Sequence, residues 1–486
     1  MKEPLKVLFL ASEADPLIKV GGLGDVAGSL PYALRSLEPA WLDGDSLDIR
    51  LAIPFHAAIR PKLERYQKIA EYSVDHSGGP ILAEVFLTEI NGLPIYLIGS
   101  RLFGPGEPVY TTDNYRDGLK YTFFTLAALQ LPRHIDWKPD ILHANDWHTA
   151  VGPYSARFNP DFSELHSTPS VLSVHNLAYM GGGSEKALAE FGVMPSSDAR
   201  LPVWAHTQPL PLGLTAADRI IAVSPTYGEE ILTPQFGCGL EDLLIDRRKS
   251  VMGIVNGLDQ ALWDPAVDKA LAATFNFVQL SKRCQNKEAL VKAYALDPDP
   301  EIPLLIIISR MDFQKGIDLA VEALSQIADT SWQAIILGTG DRTIESSCQH
   351  LQEAYPNRVR AVLKFDAQLS RLMYGGGDMI LMPSRYEPCG LAQMIAMRYG
   401  CVPIARATGG LKDTIQDAAY PGATGFLFKQ ARSQDLATTI IRAFRYYSDQ
   451  NKWRDMQLRG MRMDFSWQRS ALAYAQVYRS LLEERP

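Results

Sequence analysis

Cysteine is scarce in this chain. Five occur in 486 residues (Cys238, Cys284, Cys348, Cys389 and Cys401), an odd number with no CxxC pair. That argues against a disulfide scaffold or a structural zinc site and fits a reducing cytoplasm. Long apolar runs are missing too. The first run, Leu5 to Ala11, is broken by Lys6 and followed by Glu13, too short and too acidic at its end for a signal peptide. Nothing approaches the roughly 20 apolar residues of a membrane span. The expectation is a soluble, cytoplasmic protein with no membrane partner. Basic excess is absent: 48 Lys and Arg stand against 55 Asp and Glu, a formal net charge of −7. No nucleic-acid partner is expected. No repeat of solenoid length and no low-complexity tract occurs. Glycines 21, 22, 24 and 28 miss the GxGxxG spacing, which weakens a dinucleotide-binding reading.

What is present is an alternation of short apolar runs with amphipathic stretches. Lys6–Leu10, Leu47–Pro54, Asp140–His143, Ser170–Val174 and Arg219–Val223 read as strands in the first half, with a helix from Tyr115 to Leu131. Val85–Ile90 and Leu93–Ile98 flank Asn91-Gly92, a hairpin signal. The second half restarts the pattern at Pro303–Ser309 and continues at Gln333–Leu337, Val359–Leu363, Met379–Met382 and Val402–Ile404. This predicts α/β architecture: two Rossmann-like, doubly wound domains with parallel sheets, facing across a cleft. The expected division is 1–252, 253–465 and a C-terminal helix, 466–486, packing back on the N-terminal domain. Ligands of such sheets sit outside the carboxyl ends of the strands, so reactive residues are sought just after each strand.

Five clusters fall there. Glu13, Lys19, Gly21, Gly22, Leu23, Gly24 and Asp25 form a glycine-rich strand-to-helix turn, either an anion cradle or a plain turn. In His143-Ala-Asn-Asp146-Trp-His148, two histidines and an aspartate suit a metal, sugar hydroxyls or local structure. His175 follows the next strand. Arg310 and Lys315 end the strongest second-half strand, and such cations suit a departing diphosphate or only a solvated loop. In Pro383-Ser-Arg-Tyr-Glu387-Pro-Cys389-Gly390-Leu391, a helix is expected to start near Gly390. The N–H groups of residues 390 to 392 would then offer a phosphate site, with Glu387 beside it. No histidine lies near Cys389 in sequence, so it reads as a packed small residue. Asp43-Gly-Asp45 resembles a metal motif of other sugar transferases but lies among turn formers and reads as a solvent loop.

Taken together, Lys19–Val26, His143–His148, Val174–Tyr179, Val223–Tyr227, Ile254–Asp259, Ser309–Gly316, Pro383–Leu391, Thr408–Thr414 and Met463–Trp467 resemble the bacterial glycogen synthase and plant starch synthase family of retaining GT-B glycosyltransferases. The resemblance implies transfer of glucose from ADP-glucose, or UDP-glucose in related enzymes, to the non-reducing end of an α-1,4-glucan, without a metal or other cofactor. Its partners would be the nucleotide sugar and glycogen or a glucan primer. Lys19, with Gly21 and Gly22, would lie in the donor loop. Arg310 and Lys315 would hold the diphosphate, with Cys389, Gly390, Leu391 and Ala392 completing its site. Glu387 would orient the glucosyl ring, His175 and Asp146 would contact the sugar, with Glu13, Tyr110 and Asn256 nearby, and Phe365 would sit beside the base. The chain departs from the family in two places, and Ile395, where the wider retaining group often has a second glutamate, is compatible with the synthase branch. Gly24 replaces an alanine. Residues 181–217 are shorter and carry Pro209–Leu214 in place of a Phe-Leu-Lys-x-Gly stretch. The last change leaves a smaller acceptor as an alternative; a non-catalytic glucan-binding relative is a separate one, against which Arg310, Lys315 and Glu387 speak.

Overall fold

A computed structural model describes residues 3–484. The chain forms two compact units, residues 1–257 with 467–486, and residues 258–466. In the first, nine strands make one sheet: β1 (Leu5–Leu10), β2 (Leu47–Pro54), β3 (Gln67–Val74), β4 (Ile81–Ile90), β5 (Leu93–Gly99), β6 (Ile141–Asn145), β7 (Ser170–Val174), β8 (Arg219–Ala222) and β9 (Val251–Gly253). Their order is β3-β4-β5-β2-β1-β6-β7-β8-β9. The apolar runs read as buried strands fill the middle, where both faces are covered and alternation is not needed. The sheet is not wholly parallel, because β3–β4 and β4–β5 pair antiparallel. The hairpin turns through Asn91 and Gly92, both at positive φ, which two-residue turns of this hand require.

Two expected boundaries move. A division after residue 252 would cut β9, which pairs with β8 and belongs to the first sheet. Gly257 also belongs there: a Cβ on it would lie 2.5 Å from the Cα of Trp467. The helix Trp467–Glu483 lies in the first unit, packed along the helix Gly22–Arg35. Its Trp467, Ala471, Tyr474, Ala475, Val477, Tyr478 and Leu481 are buried in the same apolar cluster as Phe9 and Ile49.

The second unit carries six parallel strands: β10 (Leu304–Ile308), β11 (Gln333–Leu337), β12 (Val359–Val362), β13 (Met379–Met382), β14 (Val402–Arg406) and β15 (Phe426–Phe428), in the order β12-β11-β10-β13-β14-β15. Both sheets are therefore doubly wound. The chain order reverses between β1 and β6 in one sheet and between β10 and β13 in the other. At such a switch point the loops leaving two neighbouring strands splay apart and open a crevice. Among the described residues no helix is long and apolar enough to cross a membrane.

The C-terminal helix is anchored by a buried polar pin as well as by area: the Tyr478 hydroxyl meets His143 Nδ1 at 2.6 Å, and His143 Nε2 meets Ser173 Oγ at 2.8 Å. Tyr478→Ala should cost roughly 3–5 kcal/mol, the range for removing a large buried ring. Hydrogen exchange should show the loss across β1, β6 and β7 and leave β10–β14 protected. Uniform loss in both units would refute the assignment of this helix to the first core.

Candidate functional site

At the first switch point the loop after β1 folds around a carboxylate. Glu13 is 1% exposed. It accepts the N–H of Val20 and the N–H of Gly21 at 3.2 and 3.1 Å, and the Tyr110 hydroxyl at 3.0 Å. Burial pushes its carboxyl above the usual range, opposed by those same bonds. The glycine turn thus faces an anion, as its N–H groups favour, but at Val20 and Gly21 the anion is the chain's own. Gly22 opens the helix Gly22–Arg35. Lys19 is tied to Asp25 at 2.5 Å and its side chain stays 41% exposed.

Beside it, β6 ends in Asn145 and the next residue, Asp146, starts a helix at φ 53°. Left-handed backbone at a residue other than glycine costs energy and clusters at working sites. Asp146 Oδ1 accepts the N–H of His175 at 2.7 Å and of Asn176 at 3.4 Å, so it fixes the turn after β7. The Asn145 amide donates to the Leu10 carbonyl, which leaves its oxygen 3.0 Å from His175 Nε2. His175 must therefore carry its proton on Nε2, with Nδ1 as an acceptor. Burial pushes His175 down to about 4 and Asp146 up to about 7, so at neutral pH the imidazole is uncharged.

The other residues of the 143–148 stretch do not converge on these. His143 is bound into the core by Tyr478 and Ser173, and His148 packs tilted against Trp147 and Tyr110 and edge-on to Tyr121, with centroids 4.2, 5.0 and 4.7 Å away. A metal shared by this stretch would need those rings to face one point. Asp43 and Asp45 both reach Arg479, at 2.8 and 3.7 Å. No group of three or more His, Cys, Asp or Glu placed to hold a metal occurs among the described residues. Asn256 is buried and its Oδ1 has no partner.

The second unit's site lies at its own switch point. The loops after β10 and β13 meet: Lys315 Nζ stands 2.9 and 2.7 Å from the two Glu387 oxygens, and Ser384 Oγ donates to the same carboxylate at 2.9 Å. Glu387 is 5% exposed. The loops are sewn together by backbone and side-chain bonds. Arg385 N–H donates to the Gln314 carbonyl at 2.7 Å, and Gln314 Nε2 to the Tyr386 carbonyl at 3.2 Å. The Arg385 guanidinium grips Asp318 at 2.8 and 2.6 Å, holding that carboxyl below its usual range. Two glycines let the chain close this tightly. A Cβ on Gly316, at φ 66°, would lie 2.2 Å from the Pro383 carbonyl oxygen, and one on Gly409, at φ 42°, 2.0 Å from that of Glu387.

Arg310 does not join this pair. It reaches Asp312 at 3.1 Å and its side chain is 64% exposed. Phe365 is 87% exposed. Cys389 is buried, while Gly390, Leu391 and Ala392 are partly exposed. The helix there begins at Ala392, two residues later than expected, because Gly390 takes φ 74°. Ser384 and Asn145 have no role expected from the sequence, although both lie inside its motifs; a short polar side chain beside a charged one is the signal that marks them. The altered segment Pro209–Ala216 is a buried helix packed on the helix Asp146–Phe158.

Residues 6–246 match the family described as starch synthase catalytic domain, and residues 288–457 match glycosyl transferases group 1. A protein named glycogen synthase 2 from Nitrosococcus oceani is 38% identical over 99% of this chain and 98% of its own. A glycogen synthase from Anaeromyxobacter sp. is 37% identical over 98% and 99%. Among solved structures, the catalytic domain of starch synthase IV from Arabidopsis thaliana, bound to ADP and acarbose, superposes with a TM-score of 0.86 at 30% identity, covering 99% of this chain and all of that one.

Asp146 is costly as well as placed. A carboxyl raised from 3.8 to about 7 favours the folded state at low pH, and that contribution is lost as pH rises through about 7. Asp146→Asn keeps an oxygen for both N–H groups and tolerates the positive φ. Its stability relative to the parent chain should therefore rise between pH 5 and pH 8, read as the shift in urea midpoint. A pH-independent difference would show that the native carboxylate ionises without penalty.

Proposed function

The chain belongs to the glycogen synthase and starch synthase family, and from that premise we propose that it transfers glucose from ADP-glucose to the non-reducing end of an α-1,4-glucan with retained anomeric configuration. The observation that carries the reading is the Lys315–Glu387 pair at the second switch point, beside the partly exposed turn at Gly390 and Leu391. A departing diphosphate gains negative charge. A lysine already fixed by a buried carboxylate can meet that charge with little reorganisation. Arg310, exposed on the same loop and paired with Asp312, adds a second cation to the phosphates. Glu387 orients the glucosyl ring, and Phe365 offers its exposed face to the base.

On the first unit's residues, neutral His175 offers Nδ1, and Asp146 a carboxyl oxygen, to sugar hydroxyls; Lys19, Glu13, Tyr110 and Asn256 complete the sugar side. The acceptor hydroxyl attacks the anomeric carbon on the face from which the diphosphate departs. Its proton passes to a leaving phosphate oxygen, so no side-chain nucleophile is required. Lysine and arginine take the place of a metal, and no cofactor takes part. Starch synthase IV was solved with ADP, which supports an adenine donor. The retained Lys315–Glu387 pair disfavours a glucan binder without activity, because such a protein has no use for a diphosphate clamp. Five free cysteines fit a cytoplasmic setting.

Glycogen with ADP-glucose should release ADP and gain chain length, faster than with UDP-glucose and undiminished by EDTA. Glu387→Gln and Lys315→Gln should each lower kcat by roughly 10²–10³, the scale of losing one fixed transition-state contact. No transfer from either donor to glycogen would count against the proposal, and transfer only to maltose or a sugar phosphate would replace its acceptor.

A further inference from the structure

One buried side chain at the second unit's turn has no role in the reading above. Gln393 is 0% exposed. Its Nε2 donates to the carbonyls of Cys389 at 3.2 Å and Gly390 at 2.9 Å, and lies 3.1 Å from Thr414 Oγ1. Thr414 Oγ1 in turn donates to the Gly410 carbonyl at 2.6 Å, and Gly410 N–H is directed at the carbonyls of Glu387 and Pro388, both at 3.2 Å. The Gln393 Oε1, by contrast, is buried with no partner. The amide orientation is fixed by the two carbonyls, since a flipped amide would set oxygen against both. A residue needed only to fill space would not leave a polar oxygen unsatisfied; the position uses the hydrogens of Nε2.

The consequence follows from peptide planarity. In a trans peptide the C=O and the N–H point to opposite sides of the chain. The Cys389 carbonyl shares its plane with the Gly390 N–H, and the Gly390 carbonyl shares its plane with the Leu391 N–H. Gln393 draws both carbonyls inward, so both N–H groups turn outward together. Positive φ at Gly390 is what allows two successive carbonyls to converge on one amide. Neither N–H has a partner among the described residues, and both residues are partly exposed where Gln393 is not.

We propose, resting on the donor reading above, that Gln393 is a positioning residue: its carboxamide aims the Gly390 and Leu391 N–H groups at the diphosphate of the donor. It touches no phosphate itself. It sets the direction of two fixed dipoles that would otherwise have to be organised when the nucleotide binds.

Calorimetric titration of the full chain with ADP and with adenosine tests this. Gln393→Met keeps bulk and removes the donor hydrogens. Its ADP dissociation constant should rise about tenfold, as for the loss of one to two well-aligned hydrogen bonds to a charged group. Adenosine affinity should not change, and kcat/KM for the donor should fall at least as far as ADP affinity. ADP binding as tight as the parent's in the folded variant overturns the proposal, as does an equal loss for ADP and adenosine, which would mark general damage to the unit. Should Gln393→Met fail to fold, Gln393→Glu, matched in size but unable as a carboxylate to donate to either carbonyl, must give the same selective loss. A parent chain that binds neither ADP nor UDP would instead remove the donor reading on which the proposal stands.

Discussion

A lysine and a glutamate 72 positions apart share one ion pair, and the second unit's loops are arranged around it. Burying such a pair is expensive, and removing one partner typically costs about 3–5 kcal/mol because the other charge is stranded. The fold meets this with Ser384 on the carboxylate and with the Arg385–Asp318 grip that holds the two loops in register. Gly316 and Gly409 give the clearance: both sit in left-handed backbone, and at both a side chain would collide with a carbonyl of the 383–387 segment. Conformational freedom at these two positions is therefore a condition of the charge pair.

The two units solve a similar problem in opposite ways. Each opens a crevice at the reversal of its strand order, and each puts a glycine turn beside it. In the second unit the turn's N–H groups at Gly390 and Leu391 take no partner among the described residues. In the first, Glu13 takes the N–H groups of Val20 and Gly21. A carboxylate built into the chain spares that loop the need for a bound anion to hold its shape. Lys19 is then presented on a loop already organised, with Asp25 as its partner.

Much of this was legible in the residues. The buried central strands announce themselves as apolar runs: β2, β7, β11 and β13 have the bounds read from sequence. β3 is hidden in the sequence, since its Gln-Lys-Ile-Ala-Glu-Tyr-Ser-Val pattern is that of a solvated edge. β9 and β15 are three residues long and have no periodicity to detect. The site was legible as a set of residues but not as contacts. That Lys315 reaches Glu387 depends on β10 and β13 being neighbours, and strand order is a property of the whole sheet. Arg310 and Lys315 looked equivalent in sequence; only the partner across the loop separates them. The inward Glu13 was invisible for the same reason, because a carboxylate before a glycine turn reads equally well as facing solvent.

The helix Trp467–Glu483 belongs to the first unit although 209 residues of the second precede it, from Leu258 to Ser466. During synthesis every strand of the second unit is therefore made before Trp467, Tyr474 and Tyr478, which form one wall of the first unit's apolar cluster. Until residues 467–483 are made, Phe9 lacks their cover and His143 lacks the Tyr478 hydroxyl. This order of completion makes the early-made unit the late-finished one, and it is the first unit's open flank that a chaperone would have to shield.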